Sequence, residues 1–92
     1  MVFIIALLKL ESYDKWKPVF DERAALRKDS GSKEARLFRN FDDNKEVVIF
    51  FDWDNMESAR EFFESEALQK ALQKGGAKLI DTTYLDEVEK TT

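Results

Sequence analysis

Among the charged side chains on segments that read as β-strands, Arg36, Arg39, Asp52 and Asp81 are the informative ones. A sheet in a small domain exposes little area, and a charge withdrawn from water is either paired or put to use. In the functional case Asp52 or Asp81, its pKa raised, would act as a general base, Arg36 or Arg39 would bind an anion, and Tyr84 would donate a hydrogen bond. The plainer arrangement, which we favour, is an Arg–carboxylate pair across neighbouring strands, or simple exposure on an edge strand. The carboxylates of Glu57, Glu61, Glu64 and Glu66 read as helix caps and solvated face, and no metal site is expected.

The chain's composition narrows the chemistry further. With 92 residues it makes one domain, and it contains neither Cys nor His. That removes thiolate nucleophiles, the Ser-His-Asp triad, an imidazole base, haem held by His or Cys, and structural zinc, so no cofactor is expected. Fifteen Lys and Arg against nineteen Asp and Glu give a net charge of −4. Nucleic acid and anionic membranes are therefore poor partners. The run Val2–Leu8 has no basic residue before it and no small-residue cleavage site after it, and it is far shorter than the roughly 20 apolar residues that span a bilayer. It reads as a buried strand of a soluble, cytoplasmic protein.

These residues need elements to position them. Residues 2–10, β-branched, aliphatic and aromatic, make the first strand. From Tyr13 to about Lys28 the apolar positions Trp16, Val19, Phe20, Ala24 and Leu26 recur at helical spacing, with the regular part expected to begin near Pro18 and to end at Ser30-Gly31-Ser32. Residues 33–42 and Val47–Trp53 form a hairpin through a turn at Asp42–Lys45. Asp54, with Glu57 three positions on, predicts an N-cap for a helix carrying Met56, Ala59, Phe62 and Phe63, and Ser65 predicts a second cap before a short helix closed by Gly75-Gly76. Residues 77–88 make the last strand.

The order is βαββαβ, an α+β ferredoxin-like arrangement with an antiparallel four-stranded sheet carrying its helices on one face. Right-handed crossovers predict strand order 4-1-3-2, with the first and third strands as a parallel central pair. Both of these strands are apolar at either parity: Val2, Ile4, Ala6 and Leu8 alternate with Phe3, Ile5 and Leu7, and Val47, Ile49, Phe51 and Trp53 with Val48 and Phe50. A sheet with one wet face should alternate apolar with polar, since each exposed Ile or Phe forgoes about 1.5–3 kcal/mol of burial. The helices cover one face only. The expected lid for the other is a second copy of the chain, joined across a two-fold axis.

Two strings carry a resemblance. Tyr13-Asp14-Lys15-Trp16-Lys17-Pro18-Val19-Phe20-Asp21 after a hydrophobic strand, and Val47-Val48-Ile49-Phe50-Phe51-Asp52-Trp53-Asp54 leading into Met56-Glu57-Ser58-Ala59-Arg60-Glu61-Phe62, resemble the dimeric α/β-barrel proteins. Within these the chain is most similar to small members related to antibiotic-biosynthesis monooxygenases and cyclases, many of them functionally uncharacterised. The resemblance spans nearly the whole chain, and its matching residues are mostly packing and capping residues. Haem-degrading relatives use an Asn, a Trp and a His; Trp53 could stand for the Trp, but there is no His and the first strand has no Asn. The stress-response and chlorite-dismutase-like branches also lean on His. Cofactor-free oxygenation stays open, since it needs a dry aromatic pocket, a proton acceptor and donors that stabilise an enolate, the last a role for Arg36 or Arg39.

The resemblance implies a cleft between the helices and the sheet of each subunit. Tyr13, Trp16, Phe20, Phe38, Phe50, Trp53, Phe62 and Tyr84 are the aromatics available to line it, and most are expected to fill core. Trp53 stands apart because it ends a strand just before a helix start. The expected ligand-binding set is Trp16, Phe20, Arg36, Phe38, Arg39, Trp53, Phe62 and Tyr84. Three functions follow: a homodimer binding a small aromatic or hydrophobic molecule, a cofactor-independent monooxygenase or cyclase acting on a polyketide-like or quinone-like substrate, and a structural or regulatory dimer whose cleft is filled by its own side chains.

Overall fold

The computed structural model describes residues 2–92. Its elements are β1 (Val2–Leu10), α1 (Tyr13–Glu22), α2 (Ala24–Ser30), β2 (Ser32–Asn40), β3 (Asp43–Trp53), α3 (Met56–Phe63), α4 (Glu66–Lys74) and β4 (Ala77–Asp86). The sheet order is β2-β3-β1-β4, the expected 4-1-3-2 read from the other edge. β1 and β3 do form the centre, but they run antiparallel, pairing Ile4 with Phe51 and Ala6 with Ile49. The parallel expectation mistook what a crossover joins. Each helical crossover returns the chain to a strand one place beyond its neighbour, leaving a gap that an antiparallel strand fills.

Local signals explain the helix boundaries. Ser12 caps α1 by accepting from the Lys15 amide, and Ser65 caps α4 by accepting from Leu68 N at 3.2 Å. Pro18 sits inside α1, not at its start. Its missing N–H leaves free only the Asp14 carbonyl, in an exposed first turn where water can take it. The long first helix breaks at Arg23 (φ −95°, ψ 7°), and α2 ends at Gly31 in the left-handed region (φ 119°). The cap of α3 is Asn55, which accepts from Ser58 N at 2.9 Å. Asp54, expected in that role, instead pairs with Lys33 at 2.9 Å. Both Asp54 and Asn55 have a capping partner three residues on, and the extended backbone of Asn55 decides between them.

One parity of the central strands makes the core. Ile4, Ala6, Leu8 and Leu10 with Val47, Ile49, Phe51 and Trp53 pack against Trp16, Ala59, Phe62, Phe63 and Leu72 of the helices. The other parity forms an open face in cross-strand rows: Phe38, Val48, Leu7 and Asp81; Arg36, Phe50, Ile5 and Thr83; Glu34, Asp52, Phe3 and Leu85. Among the described residues no helix covers this face; the C-terminal tail reaches its margin, where Lys90 lies beside Phe3 and Asp52. The β1–β4 pairing shifts register between Leu7 and Leu8, leaving Ile80 as an unpaired extra residue on the edge strand.

Candidate functional site

Between the sheet and the helices lies a partly open cavity of about 50 Å3. Its walls are Ala6 and Leu8 of β1, Ile49 and Phe51 of β3, Leu79 of β4, Trp16, Val19 and Phe20 of α1, Phe62 and Phe63 of α3, and Leu68, Ala71 and Leu72 of α4. Two polar side chains interrupt this apolar lining: Arg23, at the α1–α2 break, and Arg27 of α2. Trp16, Phe20, Arg23 and Arg27 follow one another at four, three and four residues, so one stripe of the helical segment carries all of them.

Arg27 is only 8% exposed. Its Nη1 donates to the Phe20 carbonyl at 2.7 Å, and its guanidinium lies 3.7 Å from the centre of the Phe20 ring. Burial, reinforced by the positive charge of Arg23, lowers its pKa to about 10. Arg23 sits 5.7 Å from the Phe62 ring centre, and its Nη2 is buried without a hydrogen-bond partner among the described residues. Arg23 and Phe62 also line an outer groove of about 470 Å3 that contains Ser58 and Glu61. These two side chains are the wall between groove and cavity.

The sequence-predicted residues divide into three places. Trp16, Phe20 and Phe62 line the cavity together. Trp53, Arg39 and Tyr84 share the helix-bearing side of the sheet but lie outside it. Trp53 is fully buried between Phe62 and Phe63, and its Nε1 donates to the Ser30 carbonyl at 3.0 Å. Arg39 stands over the Tyr13 ring at 4.9 Å. The Tyr84 hydroxyl donates to Glu64 Oε2 at 3.3 Å, and burial, followed by the Glu64 charge, raises its pKa. Arg36, Phe38, Asp52 and Asp81 project from the opposite face of the sheet, so neither candidate base faces the cavity. Of the two plainer arrangements, simple exposure on an edge strand holds for Arg36 and Arg39 of β2 and Asp81 of β4; no cross-strand Arg–carboxylate pair forms among the described residues, and Asp52 Oδ1 is buried without a partner.

The sequence reading missed Arg23 and Arg27. It took Ala24 and Leu26 for the inner stripe, yet both are exposed, Leu26 by 45%. The four-three-four spacing from Trp16 was the available signal, and it is obscured because charged residues are ordinarily assigned to the outer side of an amphipathic helix.

No protein-family model and no curated protein matches the chain. Solved structures do. SnoaB, a cofactor-independent oxygenase from Streptomyces nogalater, aligns with a TM-score of 0.77 and 13% identity over 97% of this chain and 94% of its own. A provisionally assigned antibiotic biosynthesis monooxygenase from Caulobacter crescentus CB15 aligns with a TM-score of 0.72 and 19% identity, covering 96% and 90%. A dimeric ferredoxin-like protein from an uncultured marine organism gives 0.61 and 13%, covering 98% and 97%. The fold is thus ferredoxin-like, and its structural neighbours include the antibiotic-biosynthesis-monooxygenase-like proteins that the sequence resembles. At these identities the likeness defines architecture and leaves chemistry to the site.

Proposed function

We propose that the chain is a cytoplasmic, single-domain homodimer, joined through its open sheet faces, in which each subunit binds a small aromatic or hydrophobic molecule between helices and sheet. The observation that carries the reading is the cavity walled by Trp16, Phe20 and Phe62. At about 50 Å3 it is smaller than the roughly 150 Å3 that admits benzene into an engineered core. A ring therefore enters as Phe62 and Arg23 swing toward the outer groove they already line. Dimerisation is supported by the Phe3, Ile5, Leu7, Val48 and Phe50 surface, which no helix covers among the described residues, and by the dimeric neighbour.

Titrating benzyl alcohol against tryptophan emission tests the pocket, since Trp16 lines it. A saturable change is expected, and Ala6→Val, which adds two methyl groups to a cavity wall, should abolish it while raising stability by up to about 1 kcal/mol. No saturable change would instead favour the dimer without ligand.

Cofactor-independent oxygenation is the second reading, favoured by a water-poor aromatic pocket of this fold and by the activity of SnoaB. The cavity walls carry no carboxylate, so a substrate would enter as its enolate or phenolate. Oxygen uptake on adding an anthrone, with conversion of its methylene and O2 to a carbonyl and water, tests it.

A further inference from the structure

Two guanidinium groups four residues apart on one helical stripe repel one another, and burial of Arg23 and Arg27 beside an apolar cavity removes much of the water that would screen them. Long basic side chains ordinarily lay their stems on a core and send their charged heads out to solvent. Arg27 does not, being 8% exposed, and Arg23 keeps Nη2 buried and unpartnered. Neither arginine forms an ion pair among the described residues. Asp21, the carboxylate whose charge acts on Arg27, is held by Lys17 at 2.6 Å. The cavity therefore has an apolar body edged by two arginines that no carboxylate pairs among the described residues.

We infer that the molecule bound in this cavity is an anion, an apolar ring bearing a carboxylate, enolate or phenolate oxygen, with Arg23 and Arg27 holding that oxygen. The inference rests on the cavity being a ligand site. Arg27, fixed by the Phe20 carbonyl and ring, supplies a preset donor. Arg23, placed between groove and cavity, meets the anion at the mouth and follows it in. Once Arg23 swings with the entering ring, a ligand oxygen bonded to Nη2 would satisfy the polar atom that the free chain leaves buried and orphaned. The net charge of −4 repels anions at long range, so a preference for them must come from this site.

The test compares benzoate with its neutral isostere benzamide, titrated by calorimetry against the full-length chain at low salt. The expected result is at least tenfold tighter binding of benzoate, an advantage erased by Arg27→Met or Arg23→Gln with benzamide binding retained. Lys70→Gln, on the exposed side of α4, should leave the advantage intact. Should Arg27→Met not fold, Arg23→Gln, at a half-buried position, still decides. Equal binding of the two probes by the parent protein overturns the anion assignment and leaves the cavity reading standing; binding of neither overturns both.

Discussion

Stripping a guanidinium of water costs several kcal/mol, and Arg27 bears that cost with one hydrogen bond to the Phe20 carbonyl and one aromatic face in return. It is charged at neutral pH in both folded and unfolded chains. Because its folded pKa, about 10, lies below its ordinary value, the burden persists through the neutral range and lifts only as pH rises past about 10. Arg27→Met keeps the stem and removes the charge. We expect a urea midpoint corresponding to a change within about 1 kcal/mol, or a gain, alongside loss of anion binding. A loss above about 3 kcal/mol would make Arg27 a structural residue. At this scale half of the site was legible beforehand. Trp16, Phe20 and Phe62 announce themselves by apolar periodicity, whereas a buried arginine looks, in a string of letters, like any solvated one. Trp53 shows the converse: its place before a helix start suggested a cleft, but its indole N–H is claimed by the Ser30 carbonyl and it closes against Gly31, where an added Cβ would lie 2.9 Å from Nε1.

The elements were easier to foresee than their ends and directions. Seven segments, their order and both apolar faces of β1 and β3 follow from residue type alone, whereas the break at Arg23 that divides the first helix into α1 and α2 does not. The antiparallel course of β1 and β3 does not, because strand direction is set by how a crossover spans the sheet, which no local spacing encodes. The α3 cap went to Asn55 and not Asp54 because Asn55 carries the extended backbone of a cap, while Asp54 pairs with Lys33, distant in sequence. Long-range pairing also holds the far end of the β1–β3 ladder, where Lys9 bonds Asp43. That hydrogen bond, aided by the Lys45 amide, keeps the Asp43 carboxyl below its ordinary range. A depressed carboxyl contributes stability that is complete above its unfolded pKa near 3.8 and declines as pH falls through the lower folded value. Asp43→Asn should therefore show a smaller drop in urea midpoint between pH 6 and pH 3 than the parent; equal drops would remove Asp43 from the acid response.

At the scale of the whole molecule, the proposed dimer is tested at the open face. Ile5 stands in its middle row, between Phe50 and Thr83. Placing a charge there, as in Ile5→Lys, would bury an unpaired ammonium at the centre of a sheet-to-sheet contact, a cost of about 3–5 kcal/mol. The expected outcome is a folded monomer in sedimentation velocity at concentrations where the parent sediments as a dimer, with dissociation constants at least two orders of magnitude apart. A parent that sediments as a monomer at micromolar concentration would refute the assembly. The unpaired Ile80 on β4 bears on what happens next. A bulge on one edge strand, together with the exposed Lys33, Glu34, Arg36 and Arg39 along the other, leaves neither border of the sheet a straight template for a further chain. Association of the proposed kind is thereby confined to the flat of the sheet, and a crowded solution of this protein should stop at pairs instead of growing into fibres.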